Sequence, residues 1–186
     1  MKRSARLVVL GAIILAVVLW LAACAPGDIA ESPGYVSGDG TVTEWDKDAR
    51  SEPLHLMGTD YDGNEVDTAD YAGQVVLVNT WYASCPPCRA EAPELVELDA
   101  RDDVQLIGVN SRDDAATAQA FERTFDVEYP SIDDASGQAV AQMQGLVSIN
   151  AVPTTLILDP EGRVAARVVG RVEASTLSAL VDGAAE

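Results

Sequence analysis

The sequence of 186 residues predicts an α/β domain with a mixed central sheet flanked by helices. Two runs, 74–81 and 104–110, are rich in β-branched and apolar residues without polar alternation, so each predicts a strand buried on both faces. Helical patterns follow both runs. A strand at 152–158, a turn at 159–162 and a returning strand at 164–169 add an antiparallel hairpin to the same sheet.

A second, smaller hairpin is predicted at the start of the folded part, near residue 53. Residues 54–57 and 65–67 form its strands, and the turn at 60–64 carries the Asp-Gly pair that hairpin turns favour. This hairpin is expected to be an N-terminal extension of the fold.

The remaining apolar periodicity predicts four helices. The first opens at two prolines, which the first turn of a helix tolerates. The second is capped by Ser111 or Asp113 and buries Phe121 and Phe125, which lie four residues apart on one face. The four ranges are 86–100, 113–125, 136–144 and 173–184.

Residues 1–24 predict an export signal or a membrane anchor. Lys2, Arg3 and Arg6 precede a run, 7–23, without a charged side chain, and positive residues stay on the cytoplasmic side of a membrane. The rest of the chain is therefore expected to face outward. As a helix the run would span about 25 Å against a bilayer core of about 30 Å, so a cleaved signal and a retained anchor both stay open.

The apolar run ends in small residues and Cys24, which resembles the lipobox of bacterial lipoproteins, whose cysteine is lipidated. The alternative is a chance cysteine after an uncleaved helix. Since the chain has three cysteines, lipidation of Cys24 would leave Cys85 and Cys88 as a pair. Either form predicts a protein of the cell membrane, anchored by lipid or by its N-terminal helix, with an extracytoplasmic domain.

Residues 25–52 combine Gly, Pro, Ser and acidic residues with few apolar ones and predict a flexible tether to a domain at 53–186. The chain has a formal net charge of −18, and without residues 1–23 it would keep nine basic and 30 acidic side chains. Such a domain would repel nucleic acid and anionic lipid, so neither is expected as its partner.

Cys85 and Cys88 lie where the strand at 74–81 gives way to the helix at 86–100. Residues three apart on a helix have Cβ atoms about 5–6 Å apart, close enough for a disulfide to open and close. The helix N-terminus favours a thiolate at Cys85, which we therefore predict as the exposed, attacking sulfur. Cys88, further inside the helix and less exposed, would be the resolving thiol.

The two prolines between the cysteines predict the direction of the redox reaction. Neither Pro86 nor Pro87 has an N–H group, so two donors that would stabilise a thiolate at Cys85 are missing. A less stabilised dithiol makes the couple more reducing. The sequence therefore predicts a reductase.

Other functions are open to such a pair. A general disulfide oxidant or a thiol peroxidase would use the same two cysteines, and a copper carrier would add a well-placed histidine. His55 is the single histidine and is expected at the surface of the first hairpin. A zinc site lacks ligands, and a purely structural disulfide in so small a loop would remove little chain entropy. No metal or other cofactor is expected.

The chain resembles the thioredoxin superfamily, and within it the membrane-tethered TlpA/ResA-like thiol:disulfide oxidoreductases. The resemblance covers 53–186 and is carried by VVLVNTWYASCPPCRAEAPEL at 75–95, by VPT at 152–154 and by LILDPEGRV at 156–164. A CxxC pair alone is a weak signal, but a CxxC pair after a buried strand, followed by the Val-Pro-Thr step, is specific. The resemblance implies a thioredoxin fold with the N-terminal hairpin as an extension.

The resemblance also implies roles for individual residues. Cys85 would be the nucleophile, Cys88 the resolving cysteine, and Pro153 would lie in the cis form opposite the disulfide. The backbone of Val152 would pair with a substrate strand in the adjoining groove. Glu91 is expected either to tune the thiols or to be a plain solvated helix residue.

Three further positions qualify these roles. Asn79 stands where cytoplasmic thioredoxins have a buried aspartate, and its amide cannot accept the proton of Cys88. Trp81 is expected either to pack in the core, which is favoured, or to line the substrate groove. Ser84 stands where most members have tryptophan, which removes an aromatic surface beside the reactive sulfur.

The resemblance finally implies substrates and partners. Protein disulfides are the expected substrates, among them those of the haem-binding cysteines of apocytochrome c during cytochrome c maturation. The electrons would come from a membrane protein of the CcdA or DsbD type.

Overall fold

The computed structural model describes residues 40–186. The predicted signal or anchor at 1–24, with Cys24, and the predicted tether up to residue 39 lie outside the described residues. Within the described part, no helix has the length and apolar character needed to cross a membrane.

Eight strands and four α-helices make up the domain, with short 3₁₀ turns at Lys47–Ala49 and Thr68–Tyr71. The strands are β1 Thr41–Glu44, β2 Met57–Thr59, β3 Glu65–Asp67, β4 Val75–Thr80, β5 Val104–Asn110, β6 Ser131–Asp133, β7 Thr154–Leu158 and β8 Val164–Val169. The helices are α1 Pro86–Asp99, α2 Ala115–Phe125, α3 Gln138–Gln142 and α4 Ala174–Ala184.

Six strands form one mixed sheet in the order β1-β8-β7-β4-β5-β6. The pairs β4/β5 and β5/β6 are parallel, whereas β4/β7, β7/β8 and β1/β8 are antiparallel. The strands β2 and β3 form a separate two-stranded hairpin. This architecture confirms the predicted α/β class, its mixed central sheet and the N-terminal hairpin extension.

The predicted start of the domain at residue 53 is wrong. Residues 41–44, assigned to the tether, form β1 and pair with β8 in register from Thr41 opposite Val169 to Glu44 opposite Ala166. The sequence TVTE reads as polar linker because only Val42 contributes apolar surface to the core. The pairing comes instead from the edge of β8, which offers unpaired backbone groups to any extended segment that reaches it.

The two faces of the sheet carry separate cores because side chains alternate along each strand. Leu77 and Leu106 face a cluster that includes Leu95 of α1 and Leu177 of α4. The neighbouring strand positions, among them Val78, face a second cluster on the opposite side, with contributions from the hairpin and α3. The central strand β4 is therefore buried over its whole length, as its apolar sequence predicts.

Several local details differ from the sequence predictions. The strand β2 begins at Met57, so the predicted strand at 54–57 is shifted toward the turn. The helix α3 spans five residues and is shorter than the predicted 136–144. The N-cap of α2 is Asp114, whose side chain accepts the N–H of Thr117, and is neither Ser111 nor Asp113.

Candidate active site

The cysteine pair lies at the C-terminal end of the central strand β4. Beyond Thr80 the chain makes a tight turn, in which the N–H of Cys85 donates to the carbonyl of Tyr82 at 3.1 Å, and α1 begins at Pro86. Cys85 is the N-cap of α1 and is joined to Cys88 by a disulfide, with 5.3 Å between the Cα atoms. The predicted position of Cys85 at the helix N-terminus is confirmed.

Pro86 and Pro87 occupy the first two positions of α1, where their missing N–H groups leave the helix ladder intact. The first N–H of the helix that can reach Cys85 is that of Cys88, which donates to the Sγ atom at 3.2 Å. The sulfur of Cys85 thus has a single backbone donor from the first turn of α1.

The sulfur atoms are less accessible than the sequence predicts. Cys85 is 1 % exposed and Cys88 is 2 % exposed, so the expected difference between an exposed nucleophile and a buried partner is absent. Half-buried Tyr82, Ala83 and Val152 pack against the cluster that contains both cysteines. An N-cap position is exposed on an isolated helix, but here the preceding turn folds Tyr82 and Ala83 over the cysteines, and Val152 reaches them from a distant part of the chain.

Trp81 forms the inner wall of the same cluster, as predicted for a core residue. Its ring stacks on that of Phe121 in α2, with 4.5 Å between the centroids, and both side chains are buried. Phe125 packs beside Phe121 and is half-buried. The helix α2 therefore packs against the cluster that contains the cysteines.

Glu91 is buried, so its interpretation as a solvated helix residue is wrong. It lies on α1 one turn after Cys88, on the same face, because side chains three apart on a helix are neighbours. Glu91 is 6 % exposed, and its Oε1 atom accepts a hydrogen bond from the Nδ2 atom of Asn79 at 2.9 Å. Burial raises the pKa of Glu91 to about 8, against the opposing effect of this hydrogen bond.

Asn79 connects this carboxyl group to the sheet. Its amide also donates to Thr155 Oγ1 at 3.0 Å, so the group is oriented by two acceptors on different elements. The Asn79 amide cannot accept the proton of Cys88, but it holds a titratable carboxyl group at hydrogen-bond distance. That carboxyl group comes from Glu91 on the helix, which sequence reasoning did not connect with Asn79.

The peptide bond between Val152 and Pro153 is cis, as the resemblance implies. The following residue, Thr154, donates its N–H to Thr80 Oγ1 at 2.9 Å, which ties the start of β7 to the end of β4. The Val152-Pro153 step consequently lies beside the turn that leads to Cys85.

Two residues of the turn between β5 and α2 also reach this region, and sequence reasoning missed them. Asp113 accepts the N–H of Ala83 at 2.6 Å, and the Arg112 guanidinium lies 4.4 Å from the centroid of the Tyr82 ring. The available signal was the pair of consecutive aspartates, since one residue is enough to cap α2.

His55 is exposed, as expected, and among residues 40–186 no three His, Cys, Asp or Glu side chains are grouped as a metal site requires.

A redox-capable cysteine pair between a central strand and a helix, beside a cis proline, defines a thiol:disulfide oxidoreductase of the thioredoxin fold. The comparisons with known proteins agree. The model of the family described as Redoxin matches residues 44–181, and the chain belongs to this family. The predicted resemblance to the TlpA/ResA-like oxidoreductases is thereby confirmed.

Individual relatives and structures support the same class. The chain is 30 % identical over 179 residues to thiol:disulfide interchange protein DsbE of Pseudomonas aeruginosa, covering 93 % of this chain and 88 % of the relative. It is 29 % identical over 136 residues to thiol:disulfide interchange protein HelX of Rhodobacter capsulatus, covering 73 % and 74 %. A solved DsbF homologue from Corynebacterium diphtheriae superposes with a TM-score of 0.66 and 29 % identity, covering 80 % of this chain and 96 % of that one.

Proposed function

We propose that this protein is an extracytoplasmic, membrane-tethered reductase of protein disulfides, with apocytochrome c among its substrates. The observation that carries the proposal is the Cys85–Cys88 pair at the start of α1, with prolines at the two positions between the cysteines. Its position in a thiol:disulfide oxidoreductase of the Redoxin family supports the chemistry.

The small number of backbone N–H donors near the Cys85 sulfur supports the reducing direction. A thiolate at a helix N-cap is normally stabilised by the free N–H groups of the first turn. Here the Cys88 N–H is the first that can donate, because Pro86 and Pro87 have none. A thiolate with fewer donors is less stable relative to the disulfide, so the couple gives up electrons more readily.

The proposed reaction moves two electrons in two exchange steps. The thiolate of Cys85 attacks one sulfur of a substrate disulfide, forms a mixed disulfide and releases the other substrate sulfur as a thiolate. The thiolate of Cys88 then attacks the Sγ atom of Cys85 and releases the second substrate sulfur. The substrate disulfide is reduced to two thiols, and the Cys85–Cys88 disulfide is restored until a donor reduces it.

Glu91 is proposed to handle the proton of Cys88 in the second step. The side chain lies one helical turn from Cys88, and its pKa of about 8 lets it exchange a proton near neutral pH. The hydrogen bond from Asn79 would orient the carboxyl group through both protonation states.

Access to the sulfur atoms requires movement of their neighbours, since both cysteines are almost fully buried. Tyr82, Ala83 and Val152 are the half-buried residues that a substrate would displace. Pairing of a substrate strand with the backbone of Val152 would bring its disulfide to the side of the site where Pro153 lies. If dithiothreitol reduces the Cys85–Cys88 disulfide only when denaturant is added, the site is closed and the proposed exchange is wrong.

The location and the partners rest on the N-terminal sequence and on the resemblance. Residues 1–24 are proposed to anchor the protein by a lipid on Cys24 or by a helix, with the domain on the extracytoplasmic side. Electrons are proposed to come from a membrane protein of the CcdA or DsbD type. A protein held at the membrane in this way would meet both its donor and newly exported substrates.

Trapping of the mixed disulfide tests the function directly. In a Cys88→Ser protein the second exchange step is blocked, so partners should remain bound to Cys85 and be identified by mass spectrometry of the complexes. The matched control is Cys85→Ser, which should trap no partner. If the Cys88→Ser protein captured nothing and both single variants kept full activity, the proposed reaction would be excluded.

The redox equilibrium with dithiothreitol or glutathione tests the direction. A potential near that of a strong oxidant, about −120 mV, would reject the reductase and favour a disulfide oxidant. Replacing Pro86 and Pro87 by alanine restores two N–H donors and should make the couple more oxidising. An unchanged potential in that variant would show that the prolines do not set the direction.

A further inference from the structure

The turn between β5 and α2 reaches the active site through Asp113. The Oδ2 atom of Asp113 accepts the N–H of Ala83, two residues before Cys85, at 2.6 Å. The helix α2 does not need this carboxylate, because Asp114 is its N-cap and accepts the N–H of Thr117 at 2.8 Å. Asp113 therefore serves the segment that leads to Cys85 and leaves the capping of α2 to its neighbour.

The carboxylate of Asp113 is held in place by Asn110, at the end of β5. Asn110 is fully buried, and its Nδ2 atom donates to Asp113 Oδ2 at 2.8 Å. Its Oδ1 atom accepts the N–H groups of Arg112 at 3.0 Å and of Asp113 at 3.1 Å. A carboxylate oriented by its own turn is preorganised, so the bond to Ala83 requires little further ordering.

The same segment is held from two other directions. The carbonyl of Ala83 accepts a hydrogen bond from Arg89 Nη1 at 3.2 Å. The Tyr82 ring lies under the guanidinium of Arg112, whose Nη2 atom donates to the carbonyl of Ile149 at 2.7 Å. The turn after β5 thus connects the segment before Cys85 with the loop before Pro153.

We infer that Asp113 is a positioning residue for disulfide exchange at Cys85, because its carboxylate fixes Ala83 and places a negative charge beside the segment that carries the sulfur. The inference rests on the proposed function. A nearby negative charge disfavours a thiolate, and a disfavoured thiolate makes the disulfide the more stable form. Asp113 would then make the cysteine couple more reducing, as Pro86 and Pro87 do.

Other charged or titratable groups lie near the cysteines or near the segment before them, and the experiment has to separate them from Asp113. They are Arg89 and Glu91 of α1, Arg112 of the same turn, Asp114 at the start of α2, and Tyr61 of the turn between β2 and β3, whose pKa is raised by burial and by nearby acidic residues that include Asp113.

The test compares Asp113→Asn with Asp114→Asn in the full chain. The Asp113→Asn side chain keeps an oxygen that can accept the Ala83 N–H but loses the charge. We expect the equilibrium with glutathione to shift about tenfold toward the dithiol, which corresponds to about 30 mV for a two-electron couple. The pH profile of alkylation of Cys85 by iodoacetamide, followed on the Cys85 peptide by mass spectrometry, should move to lower pH.

The Asp114→Asn control changes the neighbouring carboxylate and the cap of α2 without touching Ala83. It should leave both the redox equilibrium and the alkylation profile where they are in the wild type. An Asp113→Asn protein that matches the wild type, or an Asp114→Asn protein that shifts equally, would overturn the inference. A wild-type protein that does not exchange with glutathione at all would instead reject the proposed function, so the two failures are distinguishable.

Discussion

Two buried carboxyl groups of this domain behave in opposite ways. Glu91, beside the cysteine pair, has one hydrogen-bond donor, the Asn79 amide, and burial raises its pKa to about 8. Asp159, in the turn between β7 and β8, has no exposed surface, yet its pKa is lowered. Burial acts to raise the pKa of Asp159 as well, but its hydrogen bonds and ion pairs outweigh that effect.

The pKa values of Asp159 and Glu91 shift in opposite directions because the two carboxyl groups have different hydrogen-bond and ion-pair partners. Asp159 accepts hydrogen bonds from Arg50 Nη1 and Arg163 Nε, each at 3.0 Å, and from the backbone N–H of Arg163 at 2.8 Å. Arg171, which also acts on Glu91, is bound to Glu94 instead. The ionised Asp159 joins the N-terminal segment to the β7–β8 turn, whereas Glu91 keeps a proton that it can exchange near neutral pH.

The largest expected effect on stability comes from removing the Asp159 carboxylate, which binds Arg50 and Arg163. Asp159→Ala leaves the buried guanidinium of Arg50 without its partner and should lower the free energy of unfolding by about 3 kcal/mol in denaturant titrations. The redox equilibrium should stay the same, because the turn is not part of the active site. Asp103→Ala removes the exposed partner of Arg101 and is the control, with little expected change. If Asp159→Ala and Asp103→Ala lowered the free energy of unfolding equally, burial would not decide how much each ion pair contributes to stability.

Glu91→Gln should have the next largest effect, and one that depends on pH. The pKa of Glu91 in the folded protein lies above its unfolded value of 4.5, so the folded state holds the proton more tightly and the wild type loses stability as pH rises toward 8. Relative to Glu91→Gln, that loss should be about 2–3 kcal/mol between pH 5.5 and 7.5, at about 1.4 kcal/mol per pH unit. Parallel stability curves for the two proteins over this range would mean that Glu91 is already ionised.

A smaller effect is expected at Asn79. Asn79→Leu removes the donor to Glu91 and should cost about 1–2 kcal/mol of unfolding free energy at pH 5. The midpoint of the Glu91-dependent stability change should move to higher pH, because the hydrogen bond lowers that pKa. Thr155→Val removes only an acceptor of the same amide and should move the midpoint less. A larger shift in Thr155→Val than in Asn79→Leu would contradict this arrangement.

The smallest expected effect is the loss of stabilisation by Asp159 at low pH. The pKa of Asp159 is lowered in the folded protein, so its stabilisation is present above the unfolded value of 3.8 and is lost as pH falls through the folded pKa. The stability difference between the wild type and Asp159→Asn should therefore shrink below pH 3.8, measured by thermal unfolding. A difference that grows on acidification would reverse the sign and contradict the comparison with Glu91.

Sequence reasoning succeeded where the pattern is local. The apolar run before Cys85 predicts the buried strand β4, and the prolines with the CxxC spacing predict a helix that starts at the cysteines. It failed where the partner is remote in the chain. The strand β1 pairs with residues more than 120 positions away, and the carboxylate of Asp113 binds a backbone amide 30 positions earlier.

The sequence by itself determined the fold class and the cysteine pair at the start of α1, because periodicity and helix-start chemistry are properties of neighbouring residues. The cis form of the Val152-Pro153 step was implied by the resemblance to a family. Only the tertiary structure decided that both sulfurs are covered and that Glu91 is buried against Asn79. Burial and pKa depend on which distant side chains and backbone donors surround a group. Those surroundings exist only after the sheet has brought β4, β5 and β7 together.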